Sequence, residues 1–372
     1  MDIGARAVEA LVTAELRERY DGCRALVTGH TGFKGSWLAL WLDELGATVT
    51  GVALPRSTTP NHWDLLELQI AADHRVDIRQ TEALTKIVAD AKPNIVFHLA
   101  AQSLVRRSYG DPLETWSTNV GGTASVLEAC RLAGGVSAIV VVTSDKCYDN
   151  RGAGRRYREG DPLGGHDPYS ASKAAAEMVA ASYRDAYFST PGSALVATAR
   201  AGNVIGGGDW AEDRLIPDLV RARVADQSLA VRSPAATRPW QHVLECANGY
   251  LQLGARLLER RLEFAAAWNF GPESADERTV RDVLTILHNH WPGLRWREAT
   301  SASLAEAQWL ALDSSKAQEQ LGWRSIWSLD DALAKTAQWY RRFLADGVVE
   351  SRAQLGEYIA ALDTQHAVAA SQ

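Results

Sequence analysis

The chain has 372 residues, 46% apolar and 23% charged, which suits a soluble globular protein with one large α/β unit and a smaller one. A net charge of −6 and the lack of any Lys/Arg run argue against a nucleic-acid surface. No stretch approaches the ~20 apolar residues of a membrane span, so no membrane partner is expected.

Residues 1–22 alternate charged and apolar side chains at helical spacing, unlike a secretion signal, and predict a helical extension lying on the surface. Residues 24–28 then form a short apolar strand running into Gly29-His30-Thr31-Gly32-Phe33-Lys34-Gly35 and a helix over 36–45. Strand, glycine-rich turn and helix aim backbone N–H groups and the positive end of a helix dipole at a pyrophosphate. The glycines permit a tight turn and close approach of the phosphate. Dinucleotide binding is expected here.

A second strand over 47–54 ends without the usual acid for the adenosine ribose. Arg56 follows instead and offers a partner for a 2′-phosphate, so this position leaves NAD and NADP open. Residues 75–79 read as the end of a third strand, 81–91 as a helix and 95–99 as a fourth strand. His98 is read as a buried strand histidine satisfied by the backbone. A helix over 116–133 and a fifth strand over 138–143 lead to Ser144-Asp145-Lys146-Cys147-Tyr148, polar residues at a strand's carboxyl end, where open α/β sheets bind ligands.

Tyr169 and Lys173 sit four apart at the start of a helix predicted over 168–187, so phenol and ammonium share one face. A phenol titrates near pH 10 and is a poor base at neutral pH. A cation beside it is expected to lower that value and make a proton acceptor for an alcohol. The strand over 194–199 closes this half. Cys23, Cys130, Cys147 and Cys246 lie far apart without metal-ligand spacing, so no metal is expected and a reducing, cytoplasmic compartment fits. Thirteen tryptophans, many in the second half, are read as available to a binding cleft.

The spacing Gly29-x-x-Gly32-x-x-Gly35, Ser144, and Tyr169 with Lys173, in that order, resemble the extended short-chain dehydrogenases. The resemblance implies an α/β fold, a Rossmann-type doubly wound parallel sheet with a smaller, discontinuous α/β substrate domain. The Rossmann unit would span 23–200 plus about 241–270, the sugar-nucleotide unit 201–240 and 271–345, with a tail at 346–372 whose last eight residues are loose. It implies NAD held by Gly29, Thr31, Gly32, Phe33, Lys34, Gly35, Asp77, Ile78, Leu99, Ala100, Ala101, Tyr169 and Lys173. It also implies a structural role for Asn119. Gln102, Ser103, Asn203, Arg214, Leu215, Ile216, Arg238 and Trp240 would meet the nucleotide sugar, with the forked donors of Arg238 on its pyrophosphate. Homodimers or homotetramers would form through the helices over 116–133 and 168–187.

Within that family an acid and a second ionisable residue after the serine mark sugar-nucleotide 4,6-dehydratases. Asp145-Lys146, with Gly32-Phe33-Lys34-Gly35-Ser36-Trp37 and Gly207-Gly208-Asp209-Trp210, resemble the CDP-glucose 4,6-dehydratases from about residue 24 to 340. The implied reaction is oxidation at C4 by Tyr169 and NAD, loss of water across C5 and C6 with Asp145 as acid, and hydride return to C6. Lys146 is left as the C5 base, as a charged stabiliser of the enolate, or as a salt-bridge partner of Asp145. Alternatives are another nucleoside-diphosphoglucose dehydratase, a sugar-nucleotide 4-epimerase, or a non-catalytic dinucleotide sensor.

Overall fold

Alternation of short apolar strands with helices dictates the main sheet. The computed structural model describes residues 11–152, 154–273, 276–299 and 309–370. Strands β1 (Arg24–Thr28), β2 (Thr48–Ala53), β3 (Ala72–Arg75), β4 (Ile95–His98), β5 (Ala138–Val142) and β6 (Leu195–Ala201) are followed by β7 (Asn203–Ile205), β8 (Leu229–Val231) and β9 (Thr237–His242). The last three are β10 (Ala267–Phe270), β11 (Glu277–Thr279) and β12 (Trp296–Glu298). Seven form a parallel sheet in the order β3-β2-β1-β4-β5-β6-β10, so the strand order reverses between β1 and β4. That switch opens a crevice at the carboxyl ends of the strands. This is the doubly wound sheet expected from the sequence.

The first half contributes helices α1 (Leu11–Tyr20), α2 (Phe33–Glu44), α3 (His62–Leu66), α4 (Thr81–Ala91), α5 (Val105–Gly110), α6 (Pro112–Trp116), α7 (Gly122–Ala133) and α8 (Pro168–Ala186). The second contributes α9 (Leu215–Val224), α10 (Val243–Leu258), α11 (Val280–His290), α12 (Leu329–Asp346) and α13 (Ser351–Ala370). Successive strand residues point to opposite faces. Ala25, Val27, Ile95 and Phe97 meet α2 and α10 in one core, whereas Leu26, Val96 and Ile139 meet α4, α7 and α8 in another. A third core joins α9, α11 and α12. It supports the two small sheets, β11-β9-β7 and β12-β8.

Several elements depart from the sequence reading. Helix α2 starts at Phe33 rather than Ser36, because Gly32 is the extended N-cap. Strand β3 ends at Arg75, which places Asp77 and Ile78 in the loop beyond it. The helix expected over 116–133 carries a π turn, Ser117–Gly121. There Asn119 accepts from the backbone N–H of Gln102 (2.8 Å) and donates to its carbonyl (3.0 Å) and to Ser172 on α8 (2.8 Å).

The expected extension and tail are described from residue 11 and up to residue 370, residues 1–10 and 371–372 lying outside the described residues, and these parts pack more closely than expected. Residues 35–42 of α2 are all buried, which requires cover on its outer side. Helices α10 and α13 supply it. Tyr20 of α1 is fully buried and donates to the Leu251 carbonyl (2.8 Å), while Leu355, Tyr358 and Leu362 of α13 join the same core. Helix continues to Ala370. The tryptophans serve the cores more than the cleft: Trp37, Trp41, Trp268, Trp323 and Trp339 are fully buried.

Candidate active site

A cavity of about 670 Å³ lies along the switch point and runs into the cleft beneath the small sheets. Every residue singled out from the sequence for catalysis, cofactor or substrate lines it. Gly29 has a left-handed φ of +73°, and a Cβ there would lie 2.7 Å from the Ala100 nitrogen. At Gly35 a Cβ would lie 2.1 Å from the Gly29 carbonyl oxygen. Gly32 gives α2 no side-chain cap, so the first-turn N–H groups stay available to an anion. This cradle fits the pyrophosphate of a dinucleotide. Arg56, the candidate for a 2′-phosphate, is ion-paired with Asp64 (2.8 Å). That pairing matches a cofactor without the phosphate.

Strand β4 ends in His98, which is buried as expected but satisfied by side chains rather than by the backbone. Its ring nitrogens meet the Thr28 hydroxyl (2.7 Å) and the Thr123 hydroxyl (3.0 Å). Burial, with the Lys173 charge adding, brings the imidazole down to about 3. A neutral imidazole fixed between two hydroxyls is a structural tie.

The chemistry is concentrated after β5. Ser144 is the N-cap of the 3-10 turn Asp145–Cys147. Its hydroxyl donates to Asp145 Oδ1 (2.8 Å) and accepts from the Lys146 backbone N–H (3.2 Å). The same hydroxyl acts on the Tyr169 phenol and favours its ionised form. Asp145 is 2% exposed, and its Oδ2 has no hydrogen-bond partner. Burial raises this carboxyl above its ordinary range, against the charges of Lys146, Lys34 and Arg238 and the bond from Ser144. A carboxyl so placed suits a proton donor. Among the described residues no ion pair within 4.0 Å joins Lys146 to Asp145, although the Lys146 charge acts on that carboxyl.

Tyr169 and Lys173 share a face of α8, both buried. The expected lowering of the phenol is not met. Burial pushes it up to about 12, and the Ser144 hydroxyl only partly opposes this. Burial likewise brings the Lys173 ammonium down to about 8, with the Lys34 charge adding and the Glu177 charge opposing. Desolvation penalises both charged forms. The ammonium instead donates to the Val142 carbonyl (3.5 Å).

The substrate end is cationic. Arg214, N-cap of α9, donates to Asp209 Oδ2 (2.9 Å) and Ser103 Oγ (3.2 Å). Arg238 on β9 is 7% exposed and donates to the Thr237 carbonyl (2.9 Å). With Lys34, Lys146 and Lys173 these form a field suited to a diphosphate. Gln102 lines the cavity, but its amide is engaged by the Leu104 backbone and the Thr115 hydroxyl. Trp240 is tied to the Arg278 carbonyl (3.3 Å). Asp209 was legible only as part of Gly207-Gly208-Asp209-Trp210. Asp213 likewise was legible only as the first residue of Asp213-Arg214-Leu215-Ile216-Pro217; it pairs with Arg106 (2.9 Å) and Arg232 (3.7 Å) beside the cavity.

Residues 25–261 match the NAD dependent epimerase/dehydratase family. The chain is 44% identical over 350 residues to the CDP-glucose 4,6-dehydratase of Salmonella typhimurium, covering 92% of this chain and 98% of that one. In structure it is similar to an epimerase from Methanothermobacter thermautotrophicus (TM-score 0.80, 25% identity, 90% of this chain and 96% of that one). It is also similar to a dTDP-glucose 4,6-dehydratase from Streptomyces venezuelae with NAD bound (TM-score 0.73, 26% identity, 88% and 99%).

Proposed function

Because the chain belongs to the NAD dependent epimerase/dehydratase family, we propose that it is an NAD-dependent CDP-glucose 4,6-dehydratase. It converts CDP-glucose to CDP-4-keto-6-deoxyglucose and water. NAD, when bound, supplies a hydride acceptor that becomes the donor later in the same cycle. Gly29, Gly32, Gly35 and the start of α2 hold its pyrophosphate, and Asp77, Ile78 and Leu99 to Ala101 line the adenosine and nicotinamide path.

Tyr169 takes the proton of the sugar's 4-hydroxyl as its phenolate, a form that the Ser144 hydroxyl and the Arg214 charge favour against burial, and Ser144 holds the oxygen on which charge develops. The 4-ketone acidifies the hydrogen on C5. Lys146 is the base that removes that proton. Asp145 gives its proton to the C6 oxygen, which leaves as water. Arg214 and Arg238 clamp the diphosphate while Asn203, Leu215, Ile216 and Trp240 shape the cleft. The observation that carries this reading is Asp145, a buried carboxyl with one oxygen on Ser144 and the other unpartnered. Epimerisation needs no acid at C6; elimination does. We further infer assembly as a homodimer, since Leu113, Leu132, Met178 and Tyr187, on or beside α6, α7 and α8, are exposed.

The test offers purified protein CDP-, dTDP-, GDP- and UDP-glucose in competition and weighs the products. Loss of one water from the CDP sugar is expected. Preference for another nucleotide overturns the substrate. A product of unchanged mass overturns dehydration in favour of epimerisation.

A further inference from the structure

One buried charge pair lies behind the catalytic turn and has no part in the reaction as described. Glu177 stands one helical turn beyond Lys173 on α8, and Arg200 lies on β6; each side chain is 3% exposed. Glu177 Oε1 accepts from the Thr143 hydroxyl, and Oε2 accepts from the Thr198 hydroxyl (2.7 Å) and from Arg200 (2.8 Å). Thr143 immediately precedes Ser144. Arg200 in turn donates to the Tyr148 phenol (2.8 Å), which closes the Asp145–Cys147 turn from its other end, and the guanidinium lies over the Tyr148 ring (5.0 Å). Tyr148 continues to Asn269 on β10 (2.8 Å).

We propose that Glu177 is a positioning residue for the dehydration: by holding Thr143 from behind it fixes the strand end that carries Ser144 and Asp145. The proposal rests on the roles given above to Ser144 and Asp145. Buried ion pairs contribute little to stability compared with apolar side chains of equal volume. What this one does contribute is geometry. The two residues that carry Ser144, Asp145 and Lys146 into the cavity, Thr143 and Tyr148, are held at both ends of the turn by one Glu–Arg unit.

The experiment compares Thr143→Val, Thr143→Ser and Glu177→Gln, all as NAD-loaded enzyme, on whichever nucleotide sugar the wild type dehydrates. A wrong nucleotide assignment thus leaves this test intact. Thr143→Val is expected to lower kcat about tenfold with little change in KM, as a small misplacement of reacting groups does. Thr143→Ser restores the hydroxyl and the rate. Glu177→Gln, which keeps the size but weakens the hold on Thr143, also lowers kcat with little change in KM. Wild-type kcat in Thr143→Val overturns the positioning role. Wild-type kcat in folded Glu177→Gln overturns it equally. Should Glu177→Gln not fold, the Thr143 pair decides the matter alone.

Discussion

The Ser144 hydroxyl donates to Asp145 Oδ1 across 2.8 Å and also acts on the Tyr169 phenol, favouring its ionised form. One serine therefore links the group that handles the 4-hydroxyl proton to the group that handles the leaving oxygen at C6. Both steps occur around one sugar ring, and the fold places their groups on consecutive residues of one turn and on the helix facing it.

Asp145→Asn keeps the size and the hydrogen bond to Ser144 but cannot deliver a proton. Turnover is expected to fall by about 10²–10⁴ while oxidation at C4 continues. Substrate added to this variant should give lasting near-ultraviolet absorbance of reduced nicotinamide. Full turnover by the variant removes Asp145 from the elimination.

Lys146→Met is expected to retain NAD and to stop abstraction at C5. The rate of water loss and the NAD content of the purified variant are measured together. Near-normal water loss assigns the base elsewhere.

Gly35→Ala puts a Cβ 2.1 Å from the Gly29 carbonyl oxygen, a contact that backbone cannot relieve without opening the phosphate turn. The variant is expected to purify folded, as circular dichroism reports, but without NAD. An alanine variant that binds NAD normally contradicts the cradle.

Glu245 on α10 accepts from the Ile326 and Trp327 N–H groups (3.0 and 2.9 Å) and from the Tyr358 phenol of α13 (2.6 Å). Burial nevertheless raises it from 4.5 to about 7. The folded state therefore binds more protons than the unfolded one between these values. Its contribution is fully present below about 4.5 and is lost as pH rises through about 7. Glu245→Gln lacks this titration. Denaturant unfolding should show wild type losing about 3 kcal/mol relative to the variant over that window. A pH-independent difference refutes the assignment.

Much of this was written in local patterns. The glycine turn, the apolar strands and the Tyr169–Lys173 step are short-range, and each predicts its own geometry. Long-range features were hidden. Leu355, Tyr358 and Leu362 recur at helical spacing on α13, but the face they cover is evident only from α2, whose buried outer side needs cover. The Tyr169 phenol was misjudged because sequence shows the cation but not the desolvation, and desolvation prevails. Glu177 was visible one turn after Lys173, but its partners Thr143 and Arg200 come from separate strands.

The central claim is that a ketone made at C4 labilises the hydrogen on C5 and expels the oxygen on C6. Turnover of CDP-glucose in deuterated water tests it most directly. The product is predicted to lack one water and to carry deuterium at C5, with no net reduced NAD. A dehydrated product with hydrogen retained at C5, or a product that keeps all its oxygen, contradicts it.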